Sequence, residues 1–199
     1  MSSMIGCVNL ALQKLGSVPI TSLEDNVKSA RTMRDIYDNV RRAEIRRRRW
    51  SFSMRRASLP ALSSAPAWGF NLQYQLPADC LKLDQVSEYW YVTNLVDYVQ
   101  GEMQYFAVEG NKILTNLAAP LSIRYATDVT DANQWDACFY DSLATRLAYT
   151  ACEALTQSST KKNDLMMDYK QSIFEAVKAN AVERPPIVLP DDSWTLSRL

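Results

Sequence analysis

At 199 residues with 47% hydrophobic positions, the chain can bury one sizeable core, and one domain, or a domain with an elaboration, is expected. Its 22 basic residues balance its 22 acidic ones, which excludes a whole-molecule electrostatic preference for nucleic acid or an anionic membrane. With no histidine it lacks the commonest general base, Ser-His-Asp and Cys-His pairs and most zinc sites, and its five isolated glycines form neither a P-loop nor a dinucleotide fingerprint.

In chain order, Ile5, Val8, Leu12 and Leu15 recur at three- and four-residue steps and predict an amphipathic helix stopping at Gly16 before Pro19. Ser22 followed by Asp25 reads as the start of a second helix, which Ala30, Met33, Tyr37 and Val40 carry towards Arg49 over about 25 residues. Residues 60–66, rich in Ala, Ser and Pro, read as a connector. Leu72, Tyr74 and Leu76 then alternate with polar residues, residues 105–116 read as two strands joined around Gly110-Asn111, and residues 122–125 read as a further strand. The aromatic set Tyr89, Trp90, Tyr91, Tyr98, Tyr105 and Phe106 belongs to this β region.

Asp128 and Asp131 are candidates to start a third helix, whose seam is Phe139, Leu143, Leu147, Ala151 and Leu155. After a polar break at residues 157–162, Leu165, Met166, Tyr169, Ile173 and Val177 mark a fourth, ending near Ala181. Three prolines in residues 183–199 forbid regular helix there, yet Ile187, Val188, Leu189, Trp194, Leu196 and Leu199 make the segment too apolar for a solvated terminus. It is expected to dock, preferentially on a partner chain. The fold class expected is α+β, predominantly helical: a four-helix bundle-like body formed by residues 1–58 and 128–182, an inserted small antiparallel β region at 59–127, and an extended docking tail at 183–199.

Charge is unevenly distributed. Residues 28–56 hold 11 basic against three acidic residues, about +8, leaving 11 against 19, about −8, for the rest. The cluster Arg41, Arg42, Arg46, Arg47, Arg48 and Arg49, with Trp50 and Phe52 beside it, is of a type that contacts phosphates and stacks on bases. No helix-turn-helix, zinc-finger or RNA-recognition signature accompanies it, and pairing of the arginines with carboxylates of the same or an adjacent copy is the favoured reading. Asp128, Asp131 and Asp136 could supply a hydrolase's carboxylate pair, but helix capping is the simpler role. Asp191 and Asp192 are too few oxygens for a hard cation. Catalytic residues, cofactors and metals are not expected. Four scattered cysteines, none in a C-x-x-C pair, read as buried free thiols. Without a secretory signal or a stretch of about 20 apolar residues, assembly in a reducing cytoplasm is expected.

Several segments together resemble one family. They are ALQKLGSVPITSLED (residues 11–25), the arginine-rich helix running into RRWSF (48–52), LPADCLKL (76–83), WDACFYDSLA (135–144) and the proline-rich end. In number and order they are similar to tail tubular protein A, the head-to-tail adaptor of short-tailed bacteriophages. The similarity runs over nearly the whole chain, on structural signatures without chemical necessity. The resemblance implies a virion neck protein, assembled in the host bacterial cytoplasm as a ring of about 12 copies without a membrane anchor. Its implied partners are itself, the portal protein, the tail nozzle protein and tail fibres, with genomic double-stranded DNA passing through the lumen unrecognised. In related adaptors the C-terminal extension reaches the portal; here that role falls on Pro185, Pro186, Ile187, Trp194 and Leu199. A tail-borne cell-wall hydrolase and a DNA-binding packaging accessory are the alternatives.

Overall fold

The computed structural model describes residues 3–87 and 106–183. The proposed tail contacts Pro185, Pro186, Ile187, Trp194 and Leu199, and the aromatic residues Tyr89, Trp90, Tyr91, Tyr98 and Tyr105, lie outside the described residues. The fold is α+β, with four helices and two small three-stranded antiparallel sheets among the described residues.

Helix α1 (Met4–Leu15) begins at Ser3, whose hydroxyl accepts from the Gly6 amide, and ends at Gly16, held left-handed at φ 71°. That is the conformation glycine adopts without the steric cost a Cβ would add. Helix α2 (Lys28–Arg47) starts later than its sequence suggests: Val27 is the N-cap and supplies no side-chain bond. Ser22 and Asp25 instead close a turn, the Asp25 carboxylate accepting from the amides of Thr21 and Ser22 at 2.8 and 3.0 Å. The helix therefore has 20 residues. Its core stripe runs Ala30, Met33, Tyr37 and then, at the same spacing, through two charged residues, Arg41 and Glu44.

Helix α3 (Ala137–Thr156) takes its cap from Asp136, which accepts from the amides of Cys138 and Phe139 at 2.8 and 3.1 Å. Asp131 caps a short 3-10 turn (Ala132–Gln134) before it. Phe139, Leu143, Leu147 and Ala151 are buried as their spacing predicts. The polar break after α3 is short, because Ser158 already caps α4 (Ser159–Val182). Helix α3 is central, with α1, α2 and α4 all packed on it. At Gly6 the approach is so close that an added Cβ would lie 2.7 Å from the Tyr140 hydroxyl.

The β region departs most from expectation. A strand no periodicity marked, β1 (Met54–Leu59), begins inside the segment assigned to the N-terminal helices. It pairs antiparallel with β6 (Leu121–Thr127), which also pairs β3 (Cys80–Val86), giving the order β1-β6-β3. The second sheet, β2-β5-β4, is made by β2 (Leu72–Gln75), β4 (Phe106–Glu109) and β5 (Lys112–Thr115). The β4–β5 hairpin turns at Gly110-Asn111, with Gly110 at φ 59°. Residues 60–66 do more than connect: Ala61 bridges to Tyr74, the Leu62 amide donates to the Gln73 carbonyl, and the Gln73 side-chain amide donates to Ser64.

Two cores result. In the helical body, Trp50, Phe139, Leu12, Met33, Ile45, Leu143 and Leu147 are among its fully buried members. The smaller core lies between the sheets and includes Leu59, Tyr74, Val86, Ile113, Leu121, Ile123 and Tyr125. The cysteines correct one expectation: all four are free, but only Cys7 and Cys152 are buried, Cys80 being half-buried and Cys138 exposed. Burial of Cys7, with Asp141 as a nearby negative charge, pushes its thiol up to about 12.

Candidate functional site: the arginine-rich seam

The last turns of α2 face two ways. One side enters the helical core; the other meets sheet β1-β6-β3. Arg41, Arg42 and Arg46 of α2, with Arg49 beyond the helix end at Arg47, line the contact between body and sheet.

Three contacts fasten it. Arg41, only 3% exposed, donates to Asp128, to the Val129 carbonyl at 3.1 Å and to Asp38 at 3.2 Å; Arg42 reaches the same Asp128 at 3.5 Å. Arg46 donates to the backbone carbonyl of Leu81 in β3. Arg49 pairs with Asp84 at 2.8 Å, and Asp84 also holds Arg124 of β6 at 2.7 Å. The Asp84 side chain is 7% exposed, so these pairs are shielded from the solvent screening that makes surface pairs weak.

Behind the seam, Glu44 is 2% exposed and joins three helices. Its carboxylate accepts from the Tyr169 hydroxyl of α4 at 2.8 Å and lies 3.3 Å from Arg47 and 3.6 Å from Arg146 of α3. Arg47 in turn donates to the Tyr169 hydroxyl at 2.8 Å. The Arg146 guanidinium sits 5.2 Å from the ring centres of both Tyr149 and Tyr169. Burial, then the Glu44 charge, pushes the Tyr169 phenol up to about 12. A buried carboxylate is tolerable when cations and hydrogen bonds compensate its lost hydration, and here both do.

The residue that ends the seam is Trp50. It is fully buried, its indole N–H donating to the Glu44 carbonyl at 3.0 Å. It packs edge-on against Phe139 with centroids 4.9 Å apart, and Phe52 meets Phe139 at the same distance. A tryptophan so enclosed has no free face for a base. Asn180 of α4 secures the following backbone, donating to the Arg49 carbonyl at 2.7 Å and accepting from the Ser51 amide at 2.8 Å.

Of the six arginines the sequence singles out, Arg41, Arg42, Arg47 and Arg49 meet carboxylates of the same chain, Arg46 meets a carbonyl, and Arg48 is exposed with no carboxylate partner among the described residues. Sequence reasoning missed Asp84 and Glu44. Glu44 carried a signal, since it falls on the core face of α2; Asp84 carried none until β3 was known to be a strand beside the seam. The three carboxylates weighed for hydrolysis are separated in role: Asp128 is bound by arginines, while Asp131 and Asp136 are caps. Among the described residues no group of three or more His, Cys, Asp and Glu is placed to hold a metal ion, and no helix is long and apolar enough to cross a membrane. A surface groove of about 480 Å³ beside α1 is lined by Gly6, Leu10, Pro19 and Tyr140 among others and brings no titratable pair together. No protein-family model matches the chain, and a search of the curated proteins gives no match.

Proposed function

We propose that this chain is a non-enzymatic ring subunit of a short-tailed phage virion, a head-to-tail adaptor that joins the portal to the tail nozzle around the DNA channel. The observation that carries the reading is the arginine-rich seam. Arg41, Arg42, Arg46, Arg47 and Arg49, most of the strongest positive run in the sequence, are engaged by Asp128, Asp84, Glu44 and a β3 carbonyl, so most of the run fastens parts of one chain together instead of presenting a bare row of phosphate contacts. That suits a subunit past which DNA must slide, because each phosphate neutralised by a free cation would add salt-dependent grip. The order of elements agrees: two helices, a β insertion and two helices, which we read as a bundle-like body gathered on α3 with the sheets projecting from it. Five sequence segments, in order, carry the resemblance to tail tubular protein A. Function on this reading is binding geometry, since a closed ring repeats each modest contact around its axis.

The test is mass determination in solution of the purified protein, alone and mixed with its portal protein, for the full chain and for one ending at Ala181. The expected result is a ring of about a dozen copies on the portal with the full chain alone, which would assign portal docking to residues 183–199. If neither chain associates with the portal, the adaptor reading falls.

A further inference from the structure

Helix α4 carries an apolar stripe that its own packing does not use. Leu165, Tyr169, Ala176 and Asn180 are buried against the body, while Met167 and Phe174, on the other side of the helix, are 63% and 66% exposed, and Val182 at its end is 81% exposed. Single apolar residues on a surface are ordinary; these are set apart by the charge around them. At about 100° per residue, Lys170 and Lys178 lie within about 40° of Phe174 around the helix, whereas Asp164, Glu175 and Asp168 lie roughly 80–120° off to one side. Both lysines are exposed, and neither forms an ion pair among the described residues, where the paired lysines are Lys14 and Lys162. Counted back from the helix end, the stripe therefore alternates positive and apolar groups: Lys178, Phe174, Lys170, Met167.

The sequence that leaves the end of this helix has the complementary order. After Glu183, Pro185 and Pro186 forbid further helix and favour extended backbone. Then follow Ile187, Val188 and Leu189, the carboxylates Asp191 and Asp192, and Trp194, which is apolar, negative, apolar. The two spacings agree. At about 1.5 Å per helical residue, Lys170 lies about 6 Å along the axis from Phe174, and Phe174 about 14 Å from Glu183. At about 3.1 Å per extended residue, Asp191 lies about 6 Å beyond Leu189, and Leu189 about 19 Å from Glu183. The difference of about 5 Å leaves the chain room to reverse at the prolines. Folded back along the helix, Leu189 would arrive over Phe174, the two carboxylates over Lys170, and Trp194 within a side-chain length of Met167.

We infer that residues 187–194 dock along the Met167–Phe174 face of α4 of the same chain, with Asp191 and Asp192 against the lysines that flank it. The short connection from Glu183 favours the same chain over a second copy, because it holds the segment over the face at high effective concentration. The inference stands apart from the adaptor reading and is tested on the free chain with no portal present. Any partner that takes the same segment must displace it, so its apparent affinity falls in proportion to the fraction of chains whose segment is free.

The experiment is fluorine NMR of the full chain labelled with fluorotryptophan, the Trp194 signal being identified by its loss in Trp194→Phe. In the wild type that signal should be displaced from the position of a free fluoroindole and should lack most of the solvent isotope shift of an exposed ring. Three variants, D191K/D192K, K170D/K178D and Phe174→Ser, should each move it to the free position. All three change exposed or tail residues outside the core, and native circular dichroism checks that the fold is kept. Combining D191K/D192K with K170D/K178D should bring the docked signal back, because opposite charges then face each other again. Carbodiimide coupling in an equal mixture of isotope-labelled and unlabelled chains should link Asp191 or Asp192 to Lys170 or Lys178 within one isotope only. A wild-type Trp194 signal at the free position overturns the inference, as does a docked signal that none of the three variants moves or a combined variant that stays released. Links joining a labelled to an unlabelled chain overturn it in favour of a second copy.

Discussion

The helical body and the β region solve the same problem with different means. The body has a continuous core of aromatic and aliphatic side chains in which one buried carboxylate, Glu44, is held by Arg47, Arg146 and Tyr169. The β region has a small core between two three-stranded sheets and keeps Trp68 and Val108 at its surface, 87% and 46% exposed. Three strands with an apolar face meet only the minimum for independent stability. The ion pairs of the seam, with the Arg46–Leu81 contact, tie the first sheet to α2. The comparison makes the arginine-rich run above all a joint, and it predicts that the body is self-sufficient while the sheets borrow its stability through that joint.

The largest expected effect tests the first half of that claim. Phe139 is fully buried between Trp50, Phe52 and Trp135, so Phe139→Ala should cost about 3–5 kcal/mol. Because the sheets depend on the body, helix and sheet signals should be lost in one transition under chemical denaturation. Ile113→Ala in the sheet core should cost about 2–5 kcal/mol, and amide exchange should localise its effect to β2, β4 and β5. Equal loosening of α3 by Ile113→Ala would contradict the division into donor and borrower.

A smaller effect probes the buried charge. Glu44→Gln keeps the shape but removes the charge that, after burial, most raises the Tyr169 phenol, so Tyr169 should titrate at lower pH in the variant by NMR. The sign of the pH dependence follows from the same groups. Tyr169 and Cys7 both rise to about 12 on folding, against about 10 and 8.5 for free side chains. The unfolded chain therefore loses these protons first. Their contribution to stability is complete below about pH 8.5 and disappears as pH climbs through 12. The wild-type thermal midpoint should fall across that window, and part of the fall attributable to Tyr169 should shift in Glu44→Gln.

What the sequence made legible follows the strength of its periodicities. Phe139, Leu143, Leu147 and Ala151 are spaced by the helix itself, and burial of that stripe is what drives α3 to form, so pattern and structure share a cause. Gly16 and the Gly110-Asn111 turn were equally readable, because each depends on a local backbone requirement. Strand β1 was not. Met54–Leu59 carries Arg55 and Arg56 next to each other, which hides alternation, and its partner Leu121–Thr127 is far off in sequence. The same distance hid the seam: Arg41 and Asp128 are 87 residues apart, and nothing local announces that they meet. Val27 heads α2 because the more conventional cap, Ser22 with Asp25, is already committed to a turn.

The smallest effects sharpen the comparison at single atoms, through two buried tyrosines whose hydroxyls are treated in opposite ways. In the sheet core the Tyr74 hydroxyl donates to the Leu117 carbonyl at 2.7 Å. Tyr74→Phe would leave that carbonyl without its partner, at a cost of about 1 kcal/mol. In the body the Tyr37 hydroxyl is buried with no hydrogen-bond partner among the described residues, and burial pushes its phenol well above the ordinary tyrosine range. Removing an unpaired polar atom relieves a desolvation penalty, so Tyr37→Phe should be neutral or raise the denaturation midpoint. Equilibrium unfolding of the two variants side by side decides it. If Tyr37→Phe destabilises as much as Tyr74→Phe, its hydroxyl has a partner in solution, and the body's core is more polar at α2 than its packing implies.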